Sequence, residues 1–215
     1  MKAIVLGGSR GIGRAIASEL ENIKCEVNSY SSTEVDTGNL THIQKLVDEH
    51  EEGVDVLVLN TGGPPAIEFE KITIEIWEKY HKQMFLGFCY LLQNIKIKKN
   101  GYVFLVSSFN VKEPNPKLVL SNAYRIAFIS VFKSLSKLMA KDKISFINIA
   151  PGPIKTDRLY SLVDDMEELE KTLPMGYAAE PMEIGLFVKA IVENNINYLS
   201  GVTINFDGAS SNYVL

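Results

Sequence analysis

Short apolar runs rich in valine and isoleucine recur along the whole chain, at Ala3 to Leu6, Val54 to Leu59, Tyr102 to Val106, Ile144 to Ile149 and Val202 to Phe206. Each is as long as a strand and shows no polar alternation, the pattern of a strand covered on both faces. Longer amphipathic stretches separate them, at Gly13 to Ile23, Leu40 to Glu51, Ile74 to Lys98, Leu118 to Lys141 and Pro181 to Glu193. Strand alternating with helix, without a repeat of fixed period, predicts a Rossmann-type doubly wound parallel sheet in a three-layer αβα sandwich. At 215 residues there is room for one sizeable core, so a single domain over 1–215 is expected.

One link departs from that scheme. A second strand reads at Cys25 to Tyr30, but Asp36 and the next helix follow too closely for a crossover helix. The crossover helix between strands 2 and 3 is therefore expected to be missing, with strand 3 lost or reduced to a stub at Glu34 to Asp36.

The charge balance narrows the partners. Net charge is −4, with no block of lysine and arginine, which argues against a ligand such as nucleic acid that is held by its phosphate backbone. No apolar run approaches the roughly 18 residues of a bilayer span, and the N-terminus lacks the apolar core of a signal peptide. No membrane association is expected, and a cytoplasmic location fits. Cys25 and Cys89 are isolated within apolar runs and read as buried free thiols. His42, His50 and His81 show no ligand-like spacing with acids or cysteines, so no metal site is expected.

The first strand runs into Gly7-Gly8-Ser9-Arg10-Gly11-Ile12-Gly13 and then directly into a helix. Glycines at 7, 11 and 13 permit a tight turn, close approach of backbone amides to a pyrophosphate, and close packing of helix on strand. With this turn, three later segments complete a resemblance to the short-chain dehydrogenase/reductase family: Asn60-Thr61-Gly62-Gly63, Pro151-Gly152-Pro153-Ile154-Lys155-Thr156, and the closing Ser200 to Gly208. The resemblance implies a dinucleotide held by Gly7, Ser9, Arg10, Gly11, Ile12 and Gly13, with Asn60, Gly62 and Gly63 along the adenosine. Pro151, Gly152, the Ile154 backbone and Thr156 would lie on the nicotinamide side. It also implies a homodimer or homotetramer through the two long helices, and a small-molecule carbonyl or alcohol substrate. The mobile loop that shapes such a substrate in the family corresponds to the acidic stretch Asp164 to Glu170, which also reads as a solvated helix edge. Its charge speaks against docking an acidic acyl-carrier protein.

Cofactor choice turns on charge at the adenosine ribose. A carboxylate about 20 residues beyond the glycine turn would hold a 2′-hydroxyl and repel a 2′-phosphate. Asn28 to Ser32 contains no acid, Ser31 and Ser32 offer hydroxyls, and Arg10 matches NADP-using relatives, so NADP(H) is favoured over NAD(H). Asp36 falls where relatives bind the adenine amino group, or else simply begins the turn into the next helix.

The catalytic pattern is altered. Family members carry a serine, a tyrosine 13 residues on and a lysine four beyond it. Here Ser108 is followed at those spacings by Ser121 and Arg125, and Met84 stands where an asparagine is usual. Serine is a far poorer acid than a phenol, and arginine keeps its proton at neutral pH. Ser108 would polarise the carbonyl. Either Arg125 stabilises an alkoxide while water supplies the proton, or Tyr124, close by on the same helix, reaches the site. The competing expectation is a protein that binds NADP(H) without redox turnover, in which Arg125 meets the ribose or a substrate carboxylate and Tyr124 packs in the core.

Overall fold

The computed structural model describes residues 1–213. Its six strands are β1 (Lys2–Leu6), β2 (Glu26–Tyr30), β3 (Val54–Leu59), β4 (Ile97–Val106), β5 (Ser145–Pro151) and β6 (Val202–Phe206). They form one sheet in the order β2-β1-β3-β4-β5-β6, and every neighbouring pair is parallel. The helices are α1 (Gly11–Asn22), α2 (Leu40–Glu49), α3 (Ile74–His81), α4 (Gly87–Asn94), α5 (Val119–Leu138), α6 (Asp157–Tyr160), α7 (Met166–Thr172) and α8 (Pro181–Glu193); α1 and α8 cover one face, α2, α4 and α5 the other.

The two-residue period of the strands divides the core. Ala3 and Val5 join Val56, Val58 and Phe104 beneath Ile16 and Leu20 of α1 and Ile184 and Val188 of α8. Ile4 and Leu6 point the other way, joining Leu57, Leu59 and Leu105 beneath Ile43 of α2, Phe88 and Leu91 of α4, and Phe128 and Phe132 of α5. Both faces of each central strand are thus apolar, which is why the strands read as unbroken hydrophobic runs. Cys25 is buried and Cys89 half-buried, both as free thiols, and burial pushes each thiol pKa up.

The missing crossover appears as expected, but no stub of a third strand forms at Glu34 to Asp36. That segment is a pair of turns: Val35 N–H returns to Ser31 C=O, and Asp36 Oδ1 accepts the Gly38 amide at 2.8 Å. Buried Thr37 donates its hydroxyl to the Gln83 carbonyl, and a methyl on Gly87 would stand only 1.8 Å from the Thr37 carbonyl oxygen. The short connection therefore lies directly on the start of α4, leaving β2 as a bare edge strand.

The helix expected over Ile74 to Lys98 is also revised. A π-helical turn at Lys82–Leu86 interrupts it, it ends at Asn94, and Ile97 and Lys98 belong to β4. Ile95 takes an extended conformation and, like Ile97, lies on the alternating pattern of a strand rather than the helical period. The stretch Pro116–Leu138, 23 residues with mean hydropathy 1.2, is long and apolar enough to cross a membrane, contrary to the expectation from the sequence. In the fold it is the cover of β4 and β5, with Phe128 and Phe132 in the core, and Arg125, Lys133 and Lys137 break its apolar surface.

Gly87→Ala tests the close approach of the β2 to α2 connection. At an ordinary helical position the change would stabilise by about 1 kcal/mol. Here the added methyl meets a backbone carbonyl, so chemical denaturation is expected to show a net loss of about 1–3 kcal/mol.

Candidate active site

All the parallel strands end at one edge of the sheet, and the order reverses between β1 and β3, where a crevice opens beyond the carboxyl ends. The glycine turn occupies that crevice. Gly7 has φ +62°, and the site of a Cβ on Gly13 lies 2.1 Å from the Gly7 carbonyl oxygen, so helix and strand meet at backbone distance. Asn60, at the end of β3, donates from Nδ2 to the Gly7 carbonyl at 3.1 Å and fixes the turn from the far side. No side chain caps α1, and its first turn closes with Arg14 N–H on the Arg10 carbonyl at 3.3 Å. The amides of Gly11, Ile12 and Gly13 are left facing the crevice, a donor set suited to a pyrophosphate.

The floor and far wall of the crevice come from two further loops. Gly62 has open space where a side chain would stand, and Gln83 of the π-helical turn holds the loop by donating to Thr61 Oγ1 at 3.0 Å. On the opposite side, Gly152 N–H donates to the Phe206 carbonyl, Ile154 is buried and bridges to Ala179, and Pro151 ends β5. Thr156 caps α6, donates its hydroxyl to the Ile154 carbonyl, and places its methyl 3.1 Å from where a Cβ on Gly11 would be. The glycine turn and the Pro-Gly loop thus face each other across a narrow gap, and Arg10 reaches over it to Asp157 at 3.4 Å. That ion pair is solvent-exposed and releases the arginine at small cost. Ser9 and Ser32 are exposed at the rim.

The ribose side differs from the sequence expectation. Glu34 lies outside the acid-free span Asn28 to Ser32, yet the turn brings it back: one carboxylate oxygen accepts the Ser31 N–H at 2.8 Å and the Ser31 hydroxyl at 2.7 Å. These bonds hold the Glu34 carboxyl below its usual range. Ser31 is therefore engaged by an acid rather than free to meet a phosphate. Asp36 is exposed and uses one oxygen in the turn into α2.

At the end of β4, Ser108 accepts the Asn110 amide at 3.2 Å, which leaves its hydroxyl proton available. Ser121 and Arg125 do share a face of α5. Ser121 is buried, and its oxygen accepts Arg125 Nε at 3.1 Å; Arg125 Nη1 donates to the Val106 carbonyl at 2.9 Å. Desolvation, with a smaller push from the Arg158 cation, lowers the Arg125 guanidinium to about 10, so it stays charged at neutral pH. Met84 and Ser107 line the same small cavity as Arg125. Tyr124 is not brought to the crevice: its hydroxyl donates to the Trp77 carbonyl at 2.9 Å and its ring packs on Trp77 and His81. Successive helical residues are turned by about 100°, so 124 points away from the face that 121 and 125 share, and α3 claims it through Trp77.

Sequence reasoning missed Arg158. It is half-buried, donates from Nη2 to the Pro64 carbonyl at 2.6 Å, and faces Gly63 together with Arg125. A usable signal was present: only four of the chain's 22 cationic residues are arginines, and three of those, Arg10, Arg125 and Arg158, stand at this crevice. The acidic stretch forms α7, capped by Asp165, and Lys155 ties it to the Pro-Gly loop through Glu170 at 3.1 Å.

A family model described as enoyl-(acyl carrier protein) reductase matches residues 12–210. Glucose 1-dehydrogenase 2 of Bacillus subtilis (strain 168) is 29% identical over 249 aligned positions, covering 98% of this chain and 95% of that protein. Among solved structures, a short-chain dehydrogenase/reductase (glucose/ribitol dehydrogenase) from Brucella melitensis superposes with TM-score 0.86 at 20% identity, covering 97% and 95% of the two chains. A short-chain dehydrogenase from Burkholderia cenocepacia J2315, solved in complex with NADP, gives 0.84 at 19% identity and covers 96% of each. The chain belongs to the short-chain dehydrogenase/reductase family, oxidoreductases that act on CH–OH and C=O groups with a nicotinamide dinucleotide.

Proposed function

We propose that this protein is an NADP(H)-dependent oxidoreductase of a small carbonyl or alcohol substrate, in which Arg125 takes over charge stabilisation from the usual tyrosine and lysine pair. The observation that carries the reading is the uncapped α1 N-terminus at the same sheet edge as Arg125, which is bonded to the end of β4 beside Ser108. The residues fit a dinucleotide: open amides at Gly11 to Gly13 for the pyrophosphate, clear space over Gly62 for the adenosine side, and the Pro151 to Thr156 loop for the nicotinamide side. Arg10 supports the 2′-phosphate, while Glu34 opposes it. The NADP complex of the Burkholderia relative adds weight to the phosphate form.

When bound, a reduced nicotinamide supplies hydride to the carbonyl carbon. The chain has to hold the carbonyl and meet the negative charge that develops on its oxygen. Ser108 has a free hydroxyl proton to donate to that oxygen, and Arg125 Nη2 is the guanidinium nitrogen not already used on Ser121 or Val106. A fixed cation at a developing alkoxide, held out of water, is an effective stabiliser. Ser121 has no role as an acid: it is buried, its oxygen accepts from Arg125, and an aliphatic hydroxyl is a far poorer acid than a phenol. The proton that completes the alcohol comes from water, and the hydroxide left behind is neutralised in solvent.

A second reading, dinucleotide binding without turnover, is favoured by one observation: no phenol reaches the crevice from α5, since Tyr124 is committed to Trp77. Exposed Leu86, Ile126 and Leu138 on the α4 and α5 side support a homo-oligomer formed through these helices. The free thiols and the family membership fit a cytoplasmic location.

Turnover of aldehydes, ketones and diones with NADPH, followed by nicotinamide absorbance, separates the two readings; dinucleotide binding with no oxidation across the panel overturns the first. Arg125→Ala is expected to lower kcat by about 10²–10³, with Arg125→Lys retaining part of the rate. Tyr124→Phe is expected to cost about 1 kcal/mol of stability with turnover nearly unchanged, whereas a general acid lost there would cost about 10²–10⁴ in rate. In titrations, Arg10→Ala should weaken NADPH about tenfold and leave NADH nearly unaffected, and Glu34→Gln should strengthen NADPH by a few-fold.

A further inference from the structure

Arg125 and Arg158 form a pair of cations without a counter-ion. A methyl placed on Gly63 would lie 3.6 Å from Arg125 Nη2 and 3.7 Å from Arg158 Nη2, so both guanidinium edges converge on one small volume above that glycine. Among the described residues neither arginine takes part in an ion pair. Their known acceptors are neutral: the Val106 and Pro64 carbonyls and the Ser121 hydroxyl. Each guanidinium is desolvated, and the charge on Arg158 further depresses Arg125. Two half-buried like charges disfavour each other and the folded state unless an anion joins them. The volume between them is at the mouth of the crevice: Arg158 follows Thr156 on the nicotinamide-side loop, and Gly63 follows β3.

We infer that the substrate carries a carboxylate close to its reacting carbon, and that Arg158 receives this carboxylate while Arg125 Nη2 faces the carbonyl oxygen. The inference rests on the redox reading above and narrows its substrate class to 2-oxo and 3-oxo acids, or the matching hydroxy acids in the reverse direction. The spacing sets that limit. Both nitrogens lie within 4 Å of one side-chain position, so a compact substrate whose carboxylate is close to its carbonyl suits the gap better than a long one. Arginine suits the task because its planar fork matches a carboxylate with two parallel N–H bonds. The reaction balances as before: hydride goes to the carbonyl carbon, a proton from water goes to its oxygen, and the carboxylate is unchanged.

The test uses the full chain saturated with NADPH and the pairs pyruvate and methyl pyruvate, acetoacetate and methyl acetoacetate, with 5-oxohexanoate as a long acid. The short acids are expected to exceed their esters in kcat/KM by at least about tenfold, because an ester leaves the half-buried cation unpaired. In Arg158→Ala the acid-to-ester ratio should fall to near one, chiefly through KM, and Arg158→Lys should restore part of it. A ratio near one in the unaltered protein, a ratio unmoved by Arg158→Ala, or a preference for 5-oxohexanoate overturns the inference. Thermal unfolding with oxamate, a non-reducible isostere of a 2-oxo acid, reads the site without turnover. With NADP⁺ saturating, oxamate should raise Tm in the unaltered protein and not in Arg158→Ala, whose own unliganded transition checks that it folds. If NADP⁺ abolishes the oxamate effect, the arginines belong to the cofactor; if inorganic phosphate protects equally, the carboxylate class is wrong. Oxamate protection that depends on Arg158, with no carbonyl reduced, would leave the anion site standing and remove the redox reading. Reduction of esters as fast as acids would do the reverse.

Discussion

Burial of a parallel sheet on both faces governs everything else in this molecule. With Ala3 and Val5 under α1 and α8, and Ile4 and Leu6 under α2, α4 and α5, the strands have no solvent face on which to carry chemistry. Chemistry is left chiefly to the loops that leave the carboxyl ends, and parallel connection delivers all of those loops to one edge. The glycine turn, the Asn60 loop, Ser107 and Ser108, and the Pro-Gly loop meet there because the topology permits no other place.

The lost crossover helix alters that edge at its adenosine end. In its place Thr37 lies against Gly87 and bonds to Gln83, and Gln83 in turn holds Thr61. A chain of short contacts thus runs from the connection after β2, through the π-helical turn, to the floor of the crevice. π-Helical turns inside helices are often found at functional sites, and here the turn sets the position of Met84 beside Arg125. The same tight connection swings Glu34 back to Ser31 and so changes the charge that a ribose would meet.

Helix α5 shows how far a spacing can be kept while the residues at it are exchanged. Ser121 and Arg125 preserve the geometry of positions four apart on one face, but the serine serves as an acceptor for the arginine and no longer as a proton source. Positive charge is gathered at this point rather than dispersed, since Arg158 adds a second guanidinium over Gly63. In the proposed reaction this gathered charge stands in for the phenol, in a partly dry crevice where a cation acts more strongly than in water.

The sequence by itself determined the layer architecture, the glycine turn and the shared face of residues 121 and 125, because each depends on local period or on backbone freedom that residue type reveals. It also located the deficit after Tyr30, which is a matter of counting. The absence of a third-strand stub, the break at Lys82–Leu86 and the strand start at Ile97 were decided by tertiary packing, since a short apolar run satisfies either period until a neighbour selects one. Three features lay wholly outside local reading: Glu34 on Ser31, Tyr124 on Trp77, and Arg158 beside Arg125. Two of them join residues 47 positions apart or on different helices, and the Glu34 contact depends on a turn whose path is set by its packing against α4. Side-chain direction at such places follows from what the far element offers, and only the assembled fold contains that element.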